Sequence, residues 1–429
     1  MIENFLSSQN IDIVQLLFIV IGYLMPIPLS VLALNMWHHY RTERFVAGIK
    51  WILLEIQVPR DVVKSPSAME LIFSNAFFQK TSKGFWAQYV QGSTWLWFSL
   101  EMVSIDGKIH FYVRTPSRIR DLVETQIYSQ YPQAKVLEVE DYAFRVPALS
   151  KEAGWNMWGC EFTKSEHDAR PLRTYTMIDE LKSGTDEEYK IDPITPTIEF
   201  LGSLAQGEQI WIQIVVRPSV KAYHSHKTGG HVDITKAAAE EVESIMKPYA
   251  GVDSATGESR APTIAPPILA PLIKEMVRHV SMLHFDCGIR MVVLARKDLV
   301  SDERFNSTRM ASRMIFRQYA WPSSNELSRT NSPGVGALWG DPTGTAGMKL
   351  KNRFLDWYRL RIFFHPPLQY AMDYPKILSA FFPSGKPKIF VLSSEELATI
   401  FHFPGMVSET PSFKRIESKI AKPPSNLPF

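Results

Sequence analysis

The residues that could do chemistry begin with a glycine-rich loop. Ser332 to Gly347 holds Gly334, Gly336, Gly340, Gly344 and Gly347 and ends GDPTGTAGMK. A phosphate-cradling loop needs G-x-x-x-x-G-K-[ST] between a strand and a helix. Its amides wrap the phosphates, its lysine reaches the outer ones and its hydroxyl holds magnesium. Here Met348 follows Gly347, then Lys349 and Leu350, so the lysine is displaced and the hydroxyl is missing. Gly107-Lys108 and Gly385-Lys386 are followed by Ile109 and Pro387 and fit no better. The reading is a surface loop, with no Walker motif and no NTP hydrolysis expected. A second candidate is His224, His226 and His231 with Asp233 nearby. Imidazoles and a carboxylate bind zinc, but no second ligand pair stands at a recognised spacing, so a solvated loop is preferred. His38-His39 reads as interfacial rather than ligating. Cys160 and Cys287 lie far apart and build neither a disulfide framework nor a metal site by themselves. No Ser-His-Asp order, H-E-x-x-H or paired-carboxylate signature stands out, so catalytic, cofactor and metal residues are all expected to be none.

The third candidate is a strand face. Trp95 and Trp97 alternate with Leu96 and Phe98, and His110, Tyr112 and Arg114 alternate with Phe111 and Val113. An aromatic sheet face can stack single-stranded bases. Lys108-Ile109-His110-Phe111-Tyr112 lacks the glycines of the usual RNA-binding strand. Packing on a second domain or a neighbouring subunit is therefore preferred, with a nucleic-acid-binding face as the rival. Large aromatics rarely stay exposed as one patch.

The elements that must carry these residues are legible around that face. Leu96, Phe98, Leu100 and Met102, then Ile109, Phe111 and Val113, alternate as strands do, with Asp106-Gly107 as the turn. Ile119, Leu122, Val123, Ile127 and Tyr131 recur at helical spacing, and Lys135 to Glu140 returns as a strand. Before them come a first strand, Phe45 to Val58, and a helix bearing Met69, Ile72, Phe73, Ala76 and Phe77. The order strand, helix, strand, strand, helix, strand is that of a ferredoxin-like, split βαβ unit. Ser65-Pro66-Ser67, Thr115-Pro116-Ser117 and Thr195-Pro196-Thr197 repeat as cap-and-proline triplets. A second such unit is expected from a strand at Arg173–Ile178, a helix after Thr195, strands at Ile210–Val216 and Phe285–Arg296, a helix Phe305–Tyr319 and a closing Asn325–Thr330. Its insertion, 218–282, holds a charged helix at Val232–Met246 and a linker-like run from Gly251 to Pro271. Beyond Asn331 come the loop and a basic aromatic stretch, Lys351–Tyr370, with Arg353, Arg359 and Arg361. Lys388–Leu392 follows as a strand, then a helix Glu395–His402 with a Ser393/Glu396 capping box and a Pro-rich tail.

With 429 residues and 45% hydrophobic content, a chain of two to three packed domains is expected. A net charge of +3 does not by itself argue for nucleic acid. Ile13 to Trp37 carries no charged residue and is long enough to cross roughly 30 Å of hydrocarbon. A signal peptide would need a basic front end, and only Glu3 and Asp12 precede the run. Arg41, Arg44 and Lys50 follow it. The expectation is a single-pass plasma-membrane protein, N-terminus outside and main body cytoplasmic. The fold class is thus α+β: an anchor at 1–44 with its helix at about 13–37, ferredoxin-like domains at 45–146 and 147–330, and a C-terminal region at 331–429.

WILLEIQVPRD with SPSAMELIF, FSLEMVSIDGKIHFYVRTP, RDLVETQIYSQYPQAKVLEVEDY and FVLSSEELATIFHFPG with TPSFKRIESKIAKPPSNLP carry a resemblance. Together they resemble the membrane-anchored N-terminal region of bacterial type IV secretion or conjugation ATPases, the FtsK/HerA/TraD-like pumps. In that family the segment like PPSNLP leads into the motor domain, whereas this chain stops at Pro428-Phe429. No ATPase residue can be carried over. The resemblance implies the non-motor module alone: a non-enzymatic, membrane-anchored scaffold or adaptor, without cofactor, docking a separate pump ATPase. It implies docking through Ser393 to Pro428, with Glu395, Glu396, Phe401, His402 and Phe403 as candidate contacts. Self-association of the paired domains is also expected. The rivals are a nucleic-acid-binding module, using Trp95, Trp97, Tyr112 and Arg114 with Arg353, Arg359 and Arg361, and an enzyme of unrecognised type.

Overall fold

A computed structural model describes residues 22–23, 25–59, 64–79, 84–150, 152–180, 192–219, 223–224, 231–232, 234–249, 251–252, 259–260, 265–330, 345–365 and 389–404. The described helices are α1 (Pro26–Ala47), α2 (Ser67–Ile72, continued by a π-turn Phe73–Phe77), α3 (Phe85–Tyr89), α4 (Arg120–Gln130), α5 (Tyr175–Glu180), α6 (Thr195–Gly202), α7 (Ile234–Met246), α8 (Ala270–Ser281), α9 (Asp302–Ser312), α10 (Thr345–Leu360) and α11 (Ser394–Ile400). The strands of the main sheet are β1 (Trp51–Gln57), β2 (Phe98–Ile105), β3 (Lys108–Pro116), β4 (Lys135–Val139), β5 (Trp155–Lys164), β6 (Glu208–Pro218), β7 (His284–Arg296), β8 (Leu327–Thr330) and β9 (Phe390–Ser393). Two hairpins of two-residue strands, Tyr223–His224 with His231–Val232 and Gly251–Val252 with Ser259–Arg260, lie apart from it.

The chain forms two compact units, one of Met1–Ile49, Thr81–Thr94 and Phe364–Lys386, the other of Lys50–Lys80, Trp95–Phe363 and Pro387–Phe429. In the first, α1 lies against the loop after α3. Arg41 Nε donates to Val90 O at 2.6 Å, and the His38 ring lies 5.2 Å from that of Tyr89. The anchor expectation is corrected here. Among the described residues no helix is long and apolar enough to cross a membrane. The first half of the expected span, before Pro26, lies almost entirely outside the described residues. The helix that is described carries Arg41, Glu43 and Arg44 in its second half, so its uncharged stretch is too short to span.

The second unit is an α+β body on a nine-stranded antiparallel sheet in the order β8-β5-β7-β6-β2-β3-β1-β4, with β9 pairing the start of β7. The strands of 45–146 run second, third, first, fourth outward from the middle, and β6, β7, β5 and β8 repeat that order on the other side. The halves join where β2 pairs antiparallel with β6, Phe98 opposite Val216 through Ile105 opposite Gln209. The two halves therefore share one sheet.

The β2–β3 turn is the expected one. Asp106 and Gly107 have φ of 54° and 75°, the two positive values of a type I′ turn. A Cβ on Gly107 would stand 2.7 Å from the Leu204 carbonyl oxygen. Of the proline triplets, Pro116 ends β3 with ψ 136° and is followed by a 3₁₀ turn at Ser117–Ile119 before α4, whereas Pro66 precedes α2 and Pro196 lies in the first turn of α6; none of these helices takes a side-chain cap bond from its triplet. Pro66 and Pro196 preset φ for the chain's entry into helix.

One face of the sheet presents Ile52, Leu54, Leu100, Met102, Phe111, Ile212, Ile214, Cys160, Phe162 and Met291 to Met69 and Phe73 of the α2 segment, Ile127 of α4, Leu201 of α6 and Leu397 of α11. The other face is covered too, by α10, whose Phe354, Leu355, Trp357 and Tyr358 are buried. Two glycines make room for it: a Cβ on Gly159 would overlap the Phe354 ring, and one on Gly288 the Phe363 ring.

Several expected elements differ. The first strand covers only Trp51–Gln57 of Phe45–Val58, because Phe45–Ala47 ends α1; Arg173–Ile178 is not a strand, its last four residues belonging to α5, and the first strand of the second half is β5. The helix expected over Phe305–Tyr319 ends at Ser312 and gives way to a 3₁₀ turn at Arg317–Tyr319. α8 ends the insertion with a buried Leu272, Glu275, Met276 and His279.

Candidate functional site

The chemistry-bearing residues collect in two buried polar clusters, one under α10 and one around α11. The first starts from β2 and β3, whose second-face positions are Ser99, Glu101, His110, Tyr112 and Arg114. Trp97 and Tyr112 are only 4% and 6% exposed. Tyr112 stacks on Tyr142 at 4.9 Å and 17°, and on His110 at 5.8 Å. His110 Nδ1 lies 2.7 Å from Glu55 Oε1. Trp97 packs on Trp51 at 5.1 Å, and the Arg114 guanidinium sits 4.5 Å over the Trp51 ring. Trp95 is half-buried. This face packs within the chain, so the strip open to a passing strand is largely filled.

Beneath α10 the fully buried Glu101 carboxylate accepts from Arg361 Nε at 2.9 Å, Arg361 Nη2 at 3.0 Å, Ser99 Oγ at 2.5 Å, Tyr142 Oη at 2.8 Å and Gln213 Nε2 at 3.3 Å. Burial would raise its pKa, but Arg361 and the hydroxyl donors outweigh this and hold it below the usual carboxylate range. Arg361 also pairs with Asp141, with Nη2 3.1 Å from Oδ1. Tyr142 and Tyr358 share a 2.6 Å bond between their hydroxyls, and burial raises both phenols well above their ordinary value.

The backbone at Arg361 explains why an arginine stands there. α10 ends with Arg361 N–H donating to Tyr358 O at 3.1 Å and Ile362 N–H to Trp357 O at 3.0 Å. That is a Schellman end, in which the left-handed position is usually glycine. Arg361 takes φ 53° instead. The strain, on the order of 1–2 kcal/mol, is offset by delivering the guanidinium to Glu101 and Asp141. A second buried pair lies beside the same end of the helix. Arg290 of β7 bonds Glu161 Oε1 through Nε at 3.0 Å and the Ile362 carbonyl through Nη2 at 3.1 Å. It lies 5.3, 5.8 and 4.3 Å from the ring centroids of Phe354, Trp357 and Phe363.

The second cluster centres on the predicted docking residues. Ser393 and Glu396 form the expected capping box. Glu396 is also the counter-ion of Lys164, 2.9 Å from its ammonium, and accepts from Leu172 N at 2.7 Å. His279 of α8 lies 3.4 Å away, with its ring 5.1 Å from that of His284. Burial, with Lys164 and His284 close by, holds His279 neutral, far below its ordinary pKa. Burial pushes Asp168, also in this cluster, up to about 6. Glu395 binds Arg278 Nε at 3.0 Å and the Thr176 hydroxyl. His402 bridges Ala398 O at 2.8 Å and Asp192 at 2.6 Å, while Phe401 and Phe403 pack edge-on against Phe111 at 5.7 and 5.5 Å. Glu395, Glu396, Phe401, His402 and Phe403 are all at most 2% exposed. These five side chains therefore pin α11 to its own chain and present no surface to a partner. The segment beyond Pro404 lies outside the described residues.

Of the remaining candidates, most of the glycine-rich loop, His226 and Asp233 lie outside the described residues; Gly347 sits in α10. His224 and His231 oppose each other in a hairpin. No group of three or more His, Cys, Asp or Glu among the described residues could hold a metal ion. Cys160 and Cys287 are buried free thiols, their pKa values raised by burial. Arg359 donates to the Ala143 and Val146 carbonyls, and Arg361 is buried, so neither faces outward as a cation; Arg353 is exposed on α10. Glu101, Glu161, Arg290 and Lys164 escape a sequence reading, although a charged residue at an inward position of an apolar strand is a signal of a buried pair. No family model and no curated protein matches the chain.

Proposed function

We propose that this chain is a non-enzymatic scaffold or adaptor of a type IV secretion-like or DNA-translocation apparatus, on which a separate FtsK/HerA/TraD-like pump ATPase docks. The observation that carries the reading is the repeated strand order. Each half reads as a ferredoxin-like unit, and the two are fused through β2 and β6 into one continuous platform. Such a body offers rigid outer surfaces, while its ionisable interior is engaged in holding α10 and α11 in place. The resemblance of its strand and helix segments to the non-motor region of those pumps supplies the kind of partner. Docking uses exposed surface elsewhere on this body, because α11 is buried along its whole length. The rival that stacks single strands on the β2–β3 face is weakened because Trp97 and Tyr112 are covered.

Co-expression with an FtsK/HerA/TraD-like ATPase from the same source, followed by affinity purification of the tagged chain, tests this. A stoichiometric complex is expected. Recovery of the chain alone, from cells in which the ATPase is folded and active, would overturn the proposal.

A further inference from the structure

One surface carries cations that no anion among the described residues neutralises. α9 ends at Ser312 and continues in tight turns, with Arg313 N–H on Met310 O and Met314 N–H on Ala311 O. Arg309 and Arg313 are four residues apart, and the Arg313 guanidinium lies 5.4 Å over the Trp158 ring of β5. Beside them runs β8, whose four residues pair with Glu161–Lys164, so Arg329 stands opposite Phe162. Arg313 is destabilised as a cation by burial and then by Arg329 and Arg309. Lys351 is likewise destabilised by burial and then by Lys297 and Arg309. Three arginines thus gather by this sheet edge, with Lys351 and Lys297 adding to the like charge around Arg309. Among the described residues none of them forms an ion pair, and the Nε atoms of Arg309 and Arg313 are buried without a hydrogen-bond partner. The nearest acidic groups on α9 are at its other end, where Asp302 accepts from Asn156 at 2.8 Å. A helix C-terminus favours one cation, but a like-charged group of this size raises its own energy until an anion joins it. The second observation is apolar. Met310 and Met314, interleaved with the two arginines, are 54% and 56% exposed.

We propose that the end of α9 and the adjoining edge of β8 dock an acidic amphipathic segment of a partner protein. Its carboxylates meet Arg309, Arg313 and Arg329, and its apolar side chains lie on Met310 and Met314. Methionine adapts to varied apolar partners, and arginine presents a fork suited to carboxylates. A bare phosphate backbone would use the cations and leave the methionines idle, which is why a protein segment fits better. The surface gives the scaffold reading a docking chemistry, and it rests on that reading only for its biological use.

The test is fluorescence anisotropy with the full chain and a labelled synthetic helix carrying glutamates beside a leucine stripe. A matched helix with lysine for glutamate and a single-stranded oligonucleotide serve as comparison probes. The glutamate helix should bind and the lysine helix should not. R309Q/R329Q should weaken binding by about tenfold or more, with partial recovery in R309K/R329K, and M310S/M314S should weaken it by a few-fold. Because the two helices are compared on the unaltered chain, a variant that fails to fold does not spoil the result. Absence of binding, equal binding of both helices, or oligonucleotide binding insensitive to M310S/M314S would overturn the proposal. Failure here leaves the ATPase complex to be decided by its own co-purification.

Discussion

Replacing Arg361 with methionine removes the guanidinium that neutralises Glu101 but keeps the side-chain bulk and the left-handed backbone. Glu101 is fully buried, so it loses its two charge-assisted bonds of 2.9 and 3.0 Å with no water to replace them. Breaking a buried pair from one side costs about 3–5 kcal/mol, a large part of a typical domain's stability. Arg361→Gly removes the same charge but relieves the φ 53° strain, so it should cost less by about 1–2 kcal/mol. The pH dependence separates charge from packing. In the wild type Glu101 has a lowered folded pKa. Its contribution is present above the unfolded carboxylate pKa and is lost as pH falls through the folded value. In R361M burial acts without the opposing arginine, so Glu101 takes up a proton on folding and the deficit shrinks as pH falls. Urea unfolding followed by tryptophan fluorescence at neutral and acidic pH measures all of this. The reasoning is refuted if R361M lies within about 1 kcal/mol of wild type, or if R361G is at least as damaging as R361M.

Three further outcomes follow from the same physics. Gly288→Ala places a methyl in the Phe363 ring and should cost about 1–3 kcal/mol by overpacking, read from the urea midpoint with loss of near-UV dichroism. Ser393→Ala removes half of the capping box on α11 and should cost about 1 kcal/mol, measured the same way. His279 has a folded pKa far below its unfolded value. Stability it contributes is full above the unfolded histidine pKa and lost as pH falls below it, by at most about 1.4 kcal/mol per pH unit. His279→Gln should flatten that acid limb. Asp168, with its pKa raised to about 6, acts in the opposite sense as pH rises toward that value, so the histidine variant should expose a gain on acidification.

The first half of the sheet was legible because β2 and β3 alternate cleanly and Asp106-Gly107 admits one kind of turn. β5 was not, because a strand covered on both faces loses its alternation. Trp155–Lys164 mixes Gly159, Glu161 and Lys164 with aromatics, and each odd residue has a partner far away in sequence: Phe354, Arg290 and Glu396. α10 did carry a stripe, Phe354, Leu355, Trp357 and Tyr358, but its arginines read as a basic surface. Arg359 and Arg361 instead turn inward to carbonyls and carboxylates. The aromatic residues of β2 and β3 share one face, as their alternation implies, and Trp97 and Tyr112 pack there on Trp51 and Tyr142. Ser393/Glu396 was read correctly as a cap; that Glu396 also neutralises Lys164 depends on a contact across 232 residues, which local spacing cannot show.

The central claim is that this chain holds a separate pump ATPase. Light scattering on a size-exclusion column, with the purified chain mixed with an FtsK/HerA/TraD-like ATPase from the same source, tests it most directly. The account predicts one peak whose mass is the sum of the two components in fixed ratio. Two peaks at the separate masses, at concentrations well above micromolar, would contradict it.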